Sequence, residues 1–270
     1  MAIKGIDVSA LQGNIDWSRV PADFAMIKAT QGRGEGAATK LLPRFTDSRF
    51  VSNIVSARCP RGVYHYFTAQ DKQKALTEAD YFCSVIEPHR ANIKLWAALD
   101  VESRYLDGLG KTELTAIVRT ALERIETHGY KPMLYTNPNF LKYRFEPHAF
   151  DDVPIWLAHY GVSNPYSVPN MKIWQYGAVG NLADINAGTA TIGSGRLAGI
   201  NAACDVGYGY FDLAADKPVY RVGDKYAIKA GDVYSNGVSV PARLAGKVCT
   251  IMQVRDGRIL LGEISSWVKV

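Results

Sequence analysis

Short apolar runs rich in β-branched and aromatic residues alternate with helical patterns through the first half of the chain. The runs at residues 3–8, 25–30, 62–67, 95–101 and 133–136 predict strands. Between them, Phe50, Val51, Ile54 and Val55 predict one apolar helix face, and Ala75, Ala79, Phe82 and Ile86 another. The clearest helix carries Leu114, Ile117, Val118, Ala121, Leu122 and Ile125, with Thr112 as N-cap and Gly129 as its stop. Such alternation, with near-continuous apolar strands, predicts a parallel sheet covered by helices. Then the alternation fades. Residues 154–158 and 172–176 are strand-like, but no comparable amphipathic helix separates them. An α/β barrel with helices missing near its end fits this better than a doubly wound sheet.

Around Ala214-Ala215-Asp216-Lys217-Pro218 the texture changes. Short β runs at 226–229, 247–254 and 258–261 follow, separated by turn signals at Ser235-Asn236-Gly237 and Asp256-Gly257. About 50 residues of this kind predict a small all-β domain. The expected division is a barrel over 1–213, a linker over 214–219 and the β domain over 220–270. No internal repeat relates the two parts.

Composition narrows the class. With 270 residues, 47% hydrophobic and 21% charged, the chain reads as a soluble globular protein and not a disordered one. No apolar run approaches the roughly 18 residues of a membrane span. Met1-Ala2-Ile3-Lys4 leads straight into a predicted strand, so no secretory signal is expected. Four scattered cysteines lack any C-x-x-C pair, which argues against a disulfide framework or structural zinc. The net charge is +5, and from Pro218 onward eight Lys/Arg face four acids. The tail therefore carries most of the charge. It suits an anionic partner, but without the Arg-rich runs or stacked aromatics that would single out nucleic acid.

Asp100-Val101-Glu102 is the sharpest chemical feature. It closes the apolar run Leu95-Trp96-Ala97-Ala98-Leu99, and alternation would put both carboxylates on one face, roughly 7 Å apart along a strand. In a β/α barrel, catalytic groups collect at the C-terminal strand ends. Two acids there repel, and partial burial raises at least one pKa, as acid catalysis by a carboxyl requires. Two surface acids on a solvated strand end are the plain alternative, and so apolar an approach argues against it. Asp7 ends the first strand similarly; alone it reads equally well as a turn cap. The string Gly62-Val63-Tyr64-His65-Tyr66-Phe67 mostly suggests core packing, yet aromatic rings beside carboxylates at one rim also suit a glycan.

Other motifs fail on spacing. Gly110-Lys111-Thr112 resembles the end of a phosphate-binding loop, but the required first glycine falls at Tyr105. Gly32-Arg33-Gly34-Glu35-Gly36 opens no apolar helix and has no ribose-binding acid at the right distance, so it reads as a mobile loop. There is neither an H-E-x-x-H nor a G-x-S-x-G. The expectation is carboxylate chemistry with no metal and no cofactor.

An ordered set of segments resembles the family 25 glycoside hydrolases, lysozyme-like N-acetylmuramidases. It comprises Gly5-Ile6-Asp7-Val8-Ser9 with Gln12 and Ile15-Asp16-Trp17, then Phe24-Ala25-Met26-Ile27-Lys28-Ala29-Thr30. Residues 62–67, Ala98-Leu99-Asp100-Val101-Glu102, Tyr135-Thr136-Asn137, Pro154-Ile155-Trp156-Leu157-Ala158 and Ile173-Trp174-Gln175-Tyr176 follow in family order. The resemblance covers about residues 1–213. It implies an irregular, TIM-like β/α barrel and cleavage of the β-1,4 bond from N-acetylmuramic acid to N-acetylglucosamine in peptidoglycan. It also implies that Glu102 protonates the leaving oxygen. Asp100 would stabilise the oxocarbenium-like state or assist the substrate's own acetamido group, with Asp7 supporting the floor. Tyr64, Tyr66, Tyr135, Asn137, Trp156 and Gln175 are the implied substrate-binding set.

Two departures stand out. Gln31 occupies a position where the family often has Glu. The family's late Asp-x-Asn motif is blurred between Asp184-Ile185-Asn186 and Asp205-Val206-Gly207. Asp205 is preferred as the late acid because Ala202-Ala203-Cys204 gives it a strand-like approach, whereas Asp184 precedes a Gly/Ser/Thr-rich stretch that reads as an inserted loop. The tail resembles SH3-like wall-binding modules of phage endolysins, on Tyr220-Arg221-Val222-Gly223-Asp224, Tyr234-Ser235-Asn236-Gly237 and Ile264-Ser265-Ser266-Trp267-Val268.

These resemblances imply a phage endolysin, kept in the host cytoplasm until released to the wall of a Gram-positive bacterium, with no membrane insertion. Its tail would bind an anionic wall polymer. A bacterial autolysin of the same activity, a glycosidase acting on chitin and an inactive glycan-binding protein are the competing readings.

Overall fold

The computed structural model describes residues 2–33, 45–180, 191–193, 196–213, 222–255 and 258–269. In chain order, β1 (Ile3–Val8), β2 (Phe24–Gln31) and β3 (Phe45–Thr46) lead into helix α1 (Phe50–Ser56). Then come β4 (Arg61–Tyr66), α2 (Lys72–Ile86), β5 (Ala97–Asp100), α3 (Lys111–Thr127) and β6 (Pro132–Thr136). Strands β7 (Ile155–Ala158), β8 (Met171–Val179), β9 (Thr191–Gly193) and β10 (Cys204–Gly209) complete the first part. Eight strands close on themselves in the order β1-β2-β4-β5-β6-β7-β8-β10, while β3 pairs with β2 and β9 with β8. The expected barrel is therefore present. Among the described residues its α-helices lie in the β2–β6 half, and only a short π-helical segment at Phe140–Arg144 stands between β6 and β7.

One direction departs from the parallel expectation. Strand β10 runs antiparallel to both neighbours, β8 and β1. Its beginning, and with it Asp205, therefore lies beside the C-terminal end of β1, where the other strands also end. Asp205 reaches the barrel mouth by opening its strand and not, as its sequence context suggested, by closing it.

Packing follows the alternation. Ala25, Ile27 and Ala29 of β2 join the helices in one core, while Phe24 and Met26 point into the barrel. The interior is tight there: a Cβ on Gly5 would lie 2.1 Å from the Phe24 ring, so only glycine fits. All four predicted α2 residues are fully buried, and the six of α3 are at most 2% exposed. Helix α1 corrects its prediction. Phe50 and Ile54 are buried but Val51 and Val55 are exposed, because a seven-residue helix against the barrel buries a narrower stripe. Thr112 is not the cap of α3; Gly110 is, two residues earlier. Gly129, at φ +77°, does stop it, in a conformation that favours glycine.

The chain divides into two compact units, Met1–Phe211 and Asp212–Val270. The second holds an antiparallel sheet of β11 (Lys225–Ala227), β12 (Val248–Arg255), β13 (Arg258–Leu261) and β14 (Ser266–Lys269). It has its own core of Tyr226, Ile228, Val240, Cys249, Ile251, Ile259, Leu261 and Val268. Residues 214–221, which contain the expected linker, lie outside the described residues, as do 34–44.

Candidate active site

The mouth of the barrel collects four acids. Strand β5 is shorter than predicted and ends on Asp100, so Glu102 stands in the following loop and not on the strand. Ser103 fixes that loop by capping the turn Arg104–Leu106, its hydroxyl accepting from the Tyr105 amide. Asp100 is buried, and its Oδ1 has no hydrogen-bond partner in the protein. Glu102 is the exposed member of the pair.

Asp7 does not cap a turn. That work falls to Ser9, which forms a reciprocal capping box with Gln12. The Gln12 amide also donates to the Ala203 carbonyl at 2.8 Å, tying the end of β1 to the start of β10. Asp7 and Asp205 are thereby register partners across the β1–β10 pair. Side chains at such positions are near neighbours on one face. Gln175 of β8 donates to Asp7 Oδ2 at 2.8 Å. Asp184 lies outside the described residues.

Gln175 links both sides of the mouth. Its Oε1 accepts from the Tyr135 hydroxyl at 2.8 Å and from the Tyr160 hydroxyl. The Tyr135 hydroxyl also lies 3.5 Å from Glu102 Oε2. A polar chain thus runs from Glu102 through Tyr135 and Gln175 to Asp7. Trp156 is buried beneath it, edge-on to Tyr135 at 4.6 Å and to Tyr64 at 5.8 Å. Trp156 thus packs against two tyrosines of the mouth. Tyr66 flanks Asp100 and Glu102, with a hydrogen bond to Ser103. Asn137 caps a turn: its Oδ1 accepts from the Asn139 and Phe140 amides at 3.0 and 3.1 Å.

Two participants escaped the sequence reading. Tyr160 follows β7, and the alternation 156, 158, 160 carries it to the side of Trp156; that signal was available. Lys28 is a lone charge in the apolar β2 run, itself a sign of a special position. Its Nζ lies 3.3 Å from Gln31 Oε1, 5.2 Å from the Tyr66 ring centre and 5.9 Å from that of Phe45.

Burial raises all four acids. Burial raises the Asp100 carboxyl well above the usual range, and the Glu102 charge raises it further while Lys28 opposes both. Burial also raises Glu102, against the Tyr135 hydrogen bond and Lys28. Asp7 is raised well above its usual value by burial and by Asp205. Asp205 is pushed up to about 6 by burial and by Glu102. Burial pushes Tyr66 to about 12, so its hydroxyl stays protonated. This set can give a proton at the rim, hold charge behind it and present hydroxyl and amide groups to a polar ligand. The described residues contain no group of three or more His, Cys, Asp and Glu arranged to hold a metal. None of their helices is long and apolar enough to cross a membrane.

The model of glycosyl hydrolases family 25 matches residues 6–185. The chain belongs to that family. It is 29% identical over 216 residues to the autolytic lysozyme of Clostridium acetobutylicum, covering 77% of this chain and 61% of the relative. It is 30% identical over 202 residues to lysozyme M1 of Streptomyces globisporus, covering 68% and 65%. It thus spans just under two thirds of these relatives' length. The crystal structure of the bacterial lysozyme from Streptomyces coelicolor matches with a TM-score of 0.57 at 25% identity, over 80% of this chain and 95% of that one. The spore cortex lytic enzyme SleM of Clostridium perfringens shares the fold with a TM-score of 0.64 at 19% identity, over 99% and 86%.

Proposed function

We propose that this family 25 chain is a lysozyme, hydrolysing the β-1,4 bond between N-acetylmuramic acid and N-acetylglucosamine in peptidoglycan. One observation carries the reading: an exposed acid of raised pKa, Glu102, stands two residues from a buried acid, Asp100, with an unpartnered oxygen. Glu102 gives its proton to the departing glycosidic oxygen as the bond breaks. Positive charge develops on the sugar ring and is stabilised by Asp100. Asp100 acts directly or by assisting the substrate's own acetamido group. Water then completes the hydrolysis, returning a proton to Glu102. Asp7 and Asp205, joined to the site through Gln175 and β10, orient the sugar from the opposite wall.

The same proposal extends to the second unit, an SH3-like module whose excess of basic residues suits an anionic wall polymer. We favour a phage endolysin acting on a Gram-positive wall, held in the host cytoplasm before release. The structural neighbours include the CTP1L endolysin, at 21% identity and a TM-score of 0.61. The resemblance to an autolytic lysozyme supports the alternative of a bacterial autolysin.

The test is the chemistry of the new ends. Purified peptidoglycan is digested, reduced with borohydride and hydrolysed. Reduced muramic acid is the expected product. Reduced glucosamine alone would indicate the opposite bond, cleavage of chitin only would indicate another polymer, and binding without cleavage would indicate a glycan-binding protein.

A further inference from the structure

Lys28 is an ammonium group inside a mouth dominated by carboxyls. Strand β2 carries it inward after Phe24 and Met26, opposite Tyr64 of β4. Half-burying an ammonium costs solvation, so such a lysine normally meets an anion. Among the described residues its polar contact is one neutral oxygen, Gln31 Oε1, with the Tyr66 and Phe45 rings alongside. No carboxylate among the described residues lies within ion-pair distance of it. Among the described residues it is the one cation acting on both Asp100 and Glu102. A glutamate at position 31 would sit close enough to take the ammonium as an ion pair. Glutamine holds the same geometry and leaves the charge unspent.

An anionic substrate entering a cleft of four acids meets repulsion unless a cation receives its charge. We infer that Lys28 is a specificity-determining residue that binds a carboxylate borne by the 3-substituent of the muramic acid, and that the neutral Gln31 keeps it available. The inference rests on the lysozyme reading and adds which part of the substrate is recognised. The carboxylate has two sources: the lactyl group of a peptide-free strand, or the stem peptide attached to it.

The test uses the full chain carrying Glu102→Gln to keep glycan strands intact, and calorimetric titration with three of them. One has free lactyl carboxylates, the second has these amidated with methylamine, and the third bears stem peptides. The expected result is about tenfold tighter binding of a carboxylate-bearing strand than of the amidated one, as for a charge-assisted contact. Preference for the first strand identifies the lactyl carboxylate, and preference confined to the third identifies the stem peptide. Adding Lys28→Met should abolish the preference. Gln31→Glu, which adds no bulk, should reduce it independently. Equal binding of all three strands, no binding, or a preference that survives both substitutions would overturn the inference. Failure of the lysozyme reading shows separately, as no cleavage of any strand by the unsubstituted chain.

Discussion

Asp7 and Asp205 stand opposite one another across the antiparallel β1–β10 pair, although the chain places them near the two ends of the barrel unit. Burial and mutual repulsion raise Asp7, while burial and the Glu102 charge push Asp205 up to about 6. These acids serve the site at the expense of the fold.

The cost has a defined pH window. Unfolded, Asp205 ionises near pH 4; folded, it keeps its proton to about 6. The folded state then binds more protons, so stability falls as pH rises between those values. Asp205→Asn should remove that fall, a difference on the order of 2–3 kcal/mol by pH 7, while reducing turnover. Urea unfolding between pH 3.5 and 7.5 checks it. Parallel stability curves for the two proteins would contradict it.

Tyr135→Phe removes the hydroxyl that joins Glu102 to Gln175. That hydrogen bond holds the Glu102 pKa down, so its loss should raise it. The alkaline limb of the rate profile, where the acid loses its proton, should move to higher pH. Turnover at the optimum should fall about tenfold, since Gln175 loses one of the two hydroxyls that orient it toward Asp7. An unmoved alkaline limb would separate Tyr135 from Glu102.

Behind the site, His65 is fully buried between Thr30 Oγ1 at 2.7 Å and Glu78 Oε2 at 3.0 Å. Glu78 also accepts from the Thr68 amide and hydroxyl. Glu78→Ala orphans His65 Nε2 and both Thr68 donors and should destabilise the barrel by about 3–5 kcal/mol. Glu78→Gln, which keeps an acceptor for Thr68, should cost less. Chemical denaturation measures both.

How much of this was legible in the sequence depends on what each residue's neighbours could reveal. Asp100 and Glu102 were visible because an apolar run led directly to them. Helices α2 and α3 were visible because their buried stripes are wide and regular. The reversal of β10 was not, since Ala203-Cys204-Asp205 reads the same whichever way the strand runs. Val51 and Val55 form a stripe with the same spacing as Phe50 and Ile54, and only the barrel surface decides which is buried. That Trp156 packs against Tyr135 and Tyr64 depends on strands distant in sequence, which its own segment cannot reveal. Lys28 and Tyr160 matter through neighbours contributed by distant segments.

Truncation after Asp216 should leave a folded barrel, because each unit has its own hydrophobic core. If the second unit tethers the enzyme to the wall, activity on intact cells should fall well beyond any loss on small soluble glycans. Equal losses on both would assign it a purely structural role.

The central claim is that Glu102 supplies the proton for bond cleavage. Glu102→Gln is nearly isosteric yet cannot donate that proton, so its release of reducing ends from purified peptidoglycan is the direct measurement. The account predicts a loss of about 10²–10⁴-fold with wall binding and thermal stability preserved. Retention of more than about a tenth of the original turnover, in a folded protein, would contradict it.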